Sequence, residues 1–263
     1  IVMNIKNLTS GSRMETARLG NFSVIEYGAD KSVSAFNAQT QYFMSKMGVR
    51  KRQVVIELNG QNTAVIQAGA MQWMAGHIEV TTGVKDVGDL VGKMFRGAVT
   101  KESAIKPEYK GNGLLVLEPT YKYILLKNVA EWGSGIVIED GMFLACDGTV
   151  NQSVTARKNV SSAVLGGEGL FNLCLSGNGI AALESNVPES ELIEIELQND
   201  ELKVDGPYAV CWSTSLSFTV ERTTKTLIGS AASGEGLVNV YRGTGKVLLA
   251  PVTDTRSFAA ATN

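Results

Sequence analysis

Apolar and polar positions alternate along much of this chain. Ile193, Ile195 and Leu197 are separated by Glu194 and Glu196, and Leu216, Phe218 and Val220 by Ser217, Thr219 and Glu221. A period of two belongs to a strand with one face on a core, so the apolar members are expected inward and the acids outward. The stretch His77-Ile78-Glu79-Val80 alternates in the same way, which puts His77 beside Glu79 on an outward face. Two segments depart from this period. Residues 86–95 carry Val87, Leu90, Val91, Met94 and Phe95 at helical spacing, with Asp86 as N-cap and Gly97 just past the end. Residues 34–47 carry Phe36, Phe43, Met44 and Met47 at similar spacing before Gly48. The pattern predicts an all-β chain with one or two short helices in its N-terminal third.

The strand-like segments repeat. Gly111-Asn112-Gly113 leads into an apolar run, Gly177-Asn178-Gly179 into a second and Gly243-Thr244-Gly245 into a third, at intervals of 66 residues. Glycine supplies the positive φ of tight turns, so each G-x-G is expected to be a structural turn opening a strand. A second motif sits between these, with turn glycines at Gly69, Gly141 and Gly206. Met74, Cys146 and Cys211 each fall five residues after that glycine, as interchangeable soft core positions. Ahead of the G-x-G motifs, Glu102, Glu168 and Glu235 occupy equivalent places.

The two motifs alternate, beginning with the second type and ending with the first. One compact body of three units is therefore expected over residues 1–263: 50–100, 101–166 and 167–231, with 253–263 a frayed tail. In this layout 232–252 returns to complete the first unit, closing a pseudo-threefold body.

The same segments carry a family likeness. Gly69-Ala70-Met71-Gln72-Trp73-Met74, Pro107-Glu108-Tyr109-Lys110-Gly111, Leu117-Glu118-Pro119, Gly167-Glu168-Gly169-Leu170-Phe171, Val204-Asp205-Gly206 and Gly234-Glu235-Gly236-Leu237-Val238 together resemble the family named for altered inheritance of mitochondria. The likeness spans roughly residues 50 to 251. It implies repeated β-units like the subunit of the tryptophan RNA-binding attenuation protein, each a short double-stranded β-helix or sandwich, and assembly with other copies of the chain, as a homotrimer or another homo-oligomer. The bacterial members have no assigned activity, the mitochondrial relative is linked to inner-membrane organisation, and the family offers no catalytic residues to carry over.

Composition narrows the remaining choices. A formal charge of −2 gives no electrostatic footprint for nucleic acid or an anionic membrane. Three cysteines without C-x-x-C spacing fit buried thiols in a reducing compartment. No apolar run approaches the ~18 residues of a membrane-spanning helix. With no secretory leader in evidence, the expectation is a cytoplasmic protein without a transmembrane segment.

Candidate chemistry is sparse. His77 is the one histidine, too few for a metal centre of the cupin kind, and nothing near it suggests a triad. No metal or other cofactor is expected. Gly243-Thr244-Gly245-Lys246 lacks the earlier glycine and the following Ser or Thr of a phosphate-binding loop. Glu102, Glu168 and Glu235 could converge near a threefold axis to bind a cation or basic partner, or could satisfy the N–H groups of their own glycine-rich loops. Arg50-Lys51-Arg52 is the basic cluster, the natural place for RNA if the attenuation-protein likeness extended to function, although fold likeness does not transfer function. The expectation is a non-enzymatic oligomeric binding or scaffold protein. The alternatives are an RNA-binding ring and a ligand-binding barrel or enzyme using carboxylates or Tyr109, Tyr121 and Tyr123.

Overall fold

In the computed structural model, residues 4–82, 106–156, 158–159, 171–222 and 237–252 are described. The chain opens with a hairpin of β1 (Arg13–Leu19) and β2 (Phe22–Tyr27) and a short helix α1 (Ala38–Lys46). Three strands follow, β3 (Arg52–Ile66), β4 (Met71–Thr81) and β5 (Glu108–Leu117). The middle of the chain holds β6 (Tyr123–Asn128), β7 (Ile136–Ile138), β8 (Phe143–Asp147), β9 (Val150–Ala156), β10 (Lys158–Asn159), β11 (Phe171–Gly177) and β12 (Ile180–Ser185). The last part holds β13 (Ile193–Asp205), β14 (Ala209–Ser213), β15 (Ser217–Arg222) and β16 (Leu237–Leu249). The fold is all-β, as the alternation predicts. Among the described residues no helix is long and apolar enough to cross a membrane.

The strands form two sheets. The first runs β1-β2-β3-β8-β12-β6, with β5 also on β3 and β4 on β5. The second runs β10-β15-β16-β14-β7-β11-β9, with β13 also on β16. Alternation explains how the two share a core. On β7, Ile136 and Ile138 enter one buried cluster while Val137 enters another, and on β14 Cys211 and Trp212 divide in the same way. Such strands are covered on both faces, which is why they read as unbroken apolar runs. The cluster between the sheets joins Leu125, Phe143, Cys146 and Leu183 of the first sheet to Ile136, Ile138, Leu173, Leu175, Cys211 and Leu248 of the second. Each fully buried Ile or Leu there contributes about 1.5–3 kcal/mol.

A common pairing recurs in all three parts of the chain. β5 lies between β3 and β4, β16 lies between β13 and the β14–β15 pair, and the β11–β12 segment lies between β6–β7 and β8–β9. The expected completion of residues 50–100 by 232–252 falls partly outside the described residues, and the described part of the C-terminal segment pairs elsewhere. β16 is satisfied by β13, β14 and β15, and none of its described residues pairs with β3 or β4. Once the third part supplies its own two partner strands, the C-terminal strand has no edge left to give the first.

The expected faces are kept in part: Val80 of β4 is 44% exposed, and Phe218, Thr219, Val220 and Glu221 are all half-buried. Leu197 and Leu216 are buried and Glu194 and Glu196 exposed, but Ile193, at the start of β13, is 49% exposed. His77 and Glu79 share exposure on β4. The helix expected at 34–47 forms as a 3-10 turn (Ala35–Asn37) running into α1. No residue of α1 is buried, and Phe36 is 97% exposed, so its apolar spacing is not explained by a core. The helix expected at 86–95 lies outside the described residues.

Candidate functional site

The glycines divide into two kinds. Gly69, Gly141 and Gly206 have φ of 80°, 77° and 80° and sit in the turns ahead of β4, β8 and β14, as expected. The G-x-G pairs are not hairpin turns. Gly111 and Gly113 lie inside β5 and Gly243 and Gly245 inside β16, while Gly177 and Gly179 flank the break between β11 and β12. Each sits opposite an irregularity in the partner strand. β3 slips register between Asn59 and Thr63, β13 slips between Leu197 and Asp200, and the equivalent partner is broken into β6 and β7. The glycines thus mark the bend of a long strand rather than its start. Close backbone approach is the reason at β5: a Cβ on Gly111 would lie 2.1 Å from the His77 carbonyl oxygen. His77 and Glu79 line the shallow surface over this crossing with Gly60, Lys110 and Asn112.

The basic triplet is drawn into the protein. Strand register places Glu26 of β2 opposite Arg52 of β3. Arg52 Nη2 lies 2.8 Å from Glu26 Oε2 and Arg50 Nη1 lies 2.9 Å from Glu26 Oε1, so one carboxylate takes both guanidinium groups. Lys51 Nζ donates to Asp30 Oδ2 at 2.6 Å. That contact, with donation from Ser32, holds the Asp30 carboxyl at about 2, well below its ordinary value, and raises the Lys51 ammonium. Two tyrosines complete the arrangement, with the Arg52 guanidinium 3.9 Å from the Tyr123 ring centre and Lys51 Nζ 5.7 Å from that of Tyr121. Arg50 Nε donates to the Ser45 carbonyl and Ser45 Oγ to that of Gly28, which ties α1 to the sheet beside a cleft of about 380 Å³. Each of the three cations is thus already paired with a carboxylate, Arg52 most deeply, at 8% exposure. The geometry is that of a clamp. Glu26 and Asp30 have no motif of their own, but Glu26 could have been found from the cross-strand position it takes opposite Arg52.

Tyr109 is buried, which raises its phenol, and it does not join Tyr121 and Tyr123 in the clamp. Cys146 and Cys211 are fully buried and Cys174 nearly so, all three as free thiols. Burial pushes the Cys146 and Cys211 thiols up to about 12. Glu102, Glu168 and Glu235 lie outside the described residues. Among the described residues no group of three His, Cys, Asp or Glu side chains is placed to hold a metal ion.

The most informative geometry lies where one part of the chain meets the next. Val65 and Ile66 of β3 pair with Cys146 and Ala145 of β8, and Val137 and Ile138 of β7 pair with Trp212 and Cys211 of β14. The first strand of one part thereby grips the second strand of the following part. The corresponding strands at the two ends of this series are β13 and β4. Among the described residues, β13 pairs with β16 alone and β4 with β5 alone. Met74, which shares its repeat position with the fully buried Cys146 and Cys211, is 41% exposed. The expectation that Met74 is a core residue is therefore corrected. Its two equivalents are covered by a neighbouring strand, and among the described residues none lies on that side of β4.

Known proteins share this architecture. The crystal structure of a Streptococcus pyogenes protein superposes with a TM-score of 0.60 at 26% identity, covering 80% of this chain and 93% of that one. A protein of Streptococcus pyogenes serotype M6 described as uncharacterized is 28% identical over 204 residues, which is 74% of this chain and 79% of its own length. Residues 44–252 match the family described as mitochondrial biogenesis AIM24, and the chain belongs to that family.

Proposed function

We propose that this protein is a non-enzymatic scaffold made of three pseudo-equivalent β-units of the attenuation-protein type, and that copies of it join head to tail through β13 of one and β4 of the next. The observation that carries this reading is the pair of complementary open edges. Among the described residues, the grip that β3 makes on β8 and β7 makes on β14 has no counterpart at β13 and β4. Open edges present unpaired N–H and C=O groups, and a heterologous contact of this kind extends to a ring or a filament. A cytoplasmic setting belongs to the same reading, supported by three free buried cysteines.

Native mass spectrometry tests it. The unaltered chain is expected as an oligomer, and Met74→Lys as a monomer of unchanged melting temperature, because an edge lysine blocks strand addition. An unaltered chain that stays monomeric at micromolar concentration, or a Met74→Lys variant that keeps the oligomer, contradicts the proposal.

A further inference from the structure

The second sheet turns back on itself. Its order ends at β9 on one side and at β10 on the other, yet β9 and β10 are consecutive in the chain with one residue between them. β9 pairs with β11, and β10 pairs in parallel with β15. The sheet therefore encircles a space, a cavity of about 450 Å³ lined from β7, β9, β11, β14 and β15. That volume lies in the ~300–1,000 Å³ range of small-molecule sites.

Its wall specifies the kind of occupant. Trp212 and Phe218 are stacked at 25° with ring centres 5.4 Å apart, and Tyr241 backs both rings at 5.2 and 5.1 Å. Val137, Leu216 and Cys174 complete the apolar part. The polar lining consists of neutral groups. Asn172, 2% exposed, donates from Nδ2 to the Ile138 carbonyl at 3.0 Å, so its amide is fixed at the wall by β7. Thr214 shares a hydrogen bond with Ser134, and Ser217 donates to the Arg242 carbonyl. Among the described residues no charged side chain lines this space. A charged ligand would lose its hydration there without a counter-charge from the described residues, whereas an apolar one gains contact with the half-buried Phe218, which rests on the buried Trp212.

We infer that the curled second sheet is a binding site for a neutral, planar, predominantly apolar small molecule that packs against Phe218 in front of the buried Trp212. The site lies within one chain and stands independently of self-association.

The test uses the full chain and the neutral dye N-phenyl-1-naphthylamine, whose emission rises in apolar surroundings. Saturable binding of one dye per chain is expected, with tryptophan emission falling as dye emission rises. Trp212→Phe should keep binding and lose most of that energy transfer. Cys174→Phe, which fills the cavity, should weaken binding at least about tenfold. Thr155→Trp, at the exposed rim, should do the same and decides the matter if Cys174→Phe fails to fold. The paired substitution Phe43→Ser and Met47→Ser on the exposed helix should change nothing. Absence of saturable binding, affinity unchanged by a folded cavity-filling variant, or loss of binding in the helix variant overturns the inference.

Discussion

Gly113 and Ala75 approach so closely that a Cβ on the glycine would sit 2.0 Å from the Ala75 carbonyl oxygen. This contact lies in the antiparallel pairing of β4 with β5, where Gly113 stands opposite Gly76, and it sets how closely β4 is held to the sheet.

Gly113→Ala is expected to destabilise the protein by several kcal/mol, since the backbone must move and φ is +156°. Gly69→Ala is the control. Its φ of +80° is also unfavourable for alanine, but nothing lies within 4 Å of the added carbon, so the cost is about 1–2 kcal/mol. Urea midpoints of the two variants measure the difference, and equal midpoints contradict the close approach.

Asp30 gives the fold an acid-sensitive contact. Its folded carboxyl titrates near 2, below the ordinary 3.8, so the Lys51 contact contributes fully above pH 4 and is lost as pH falls toward 2. Solvent screening keeps the contribution near or below about 1 kcal/mol. Asp30→Asn should lower stability at pH 7 and flatten the loss between pH 4 and 2. Thermal melts across that range show whether the slope changes.

The three thiols should be silent in the folded protein. With Cys146 and Cys211 at about 12 and Cys174 also raised by burial, few thiolates exist at pH 8. A colorimetric disulfide reagent should titrate none quickly in buffer and three per chain in urea. Rapid reaction of Cys146 or Cys211 in the native chain contradicts the placement of those two side chains in the core.

The sequence makes the repeat visible because glycine is demanded wherever a strand must bend or backbones must touch, at any surrounding composition. The same property conceals which of the two demands applies. Gly111 and Gly113 read as a hairpin turn, yet they are a close approach inside a strand. Repeat position was sound for Cys146 and Cys211 and failed for Met74, because burial depends on the strand next door and the described residues place none beside β4. The Arg50-Lys51-Arg52 run shows its charge in sequence but not its neutralisation, since Glu26 and Asp30 arrive from more than twenty residues away. Trp212 and Phe218 look like ordinary core residues until the curl of the sheet places a cavity beside them.

The most direct test of head-to-tail joining is a mixing experiment with two single-cysteine additions. Leu202 stands four residues before its turn glycine, as does Val65, whose strand partner Cys146 shares the repeat position of Met74; between β7 and β14 the register is offset by one, with Cys211 opposite Ile138. Leu202 of one copy should therefore face Met74 of the next, with side chains about 5 Å apart. When Met74→Cys and Leu202→Cys chains are mixed and oxidised, a disulfide dimer should form that contains one chain of each kind, and neither variant alone should form it. Dimers from one variant alone, or a bond inside a single chain carrying both substitutions, would contradict the account.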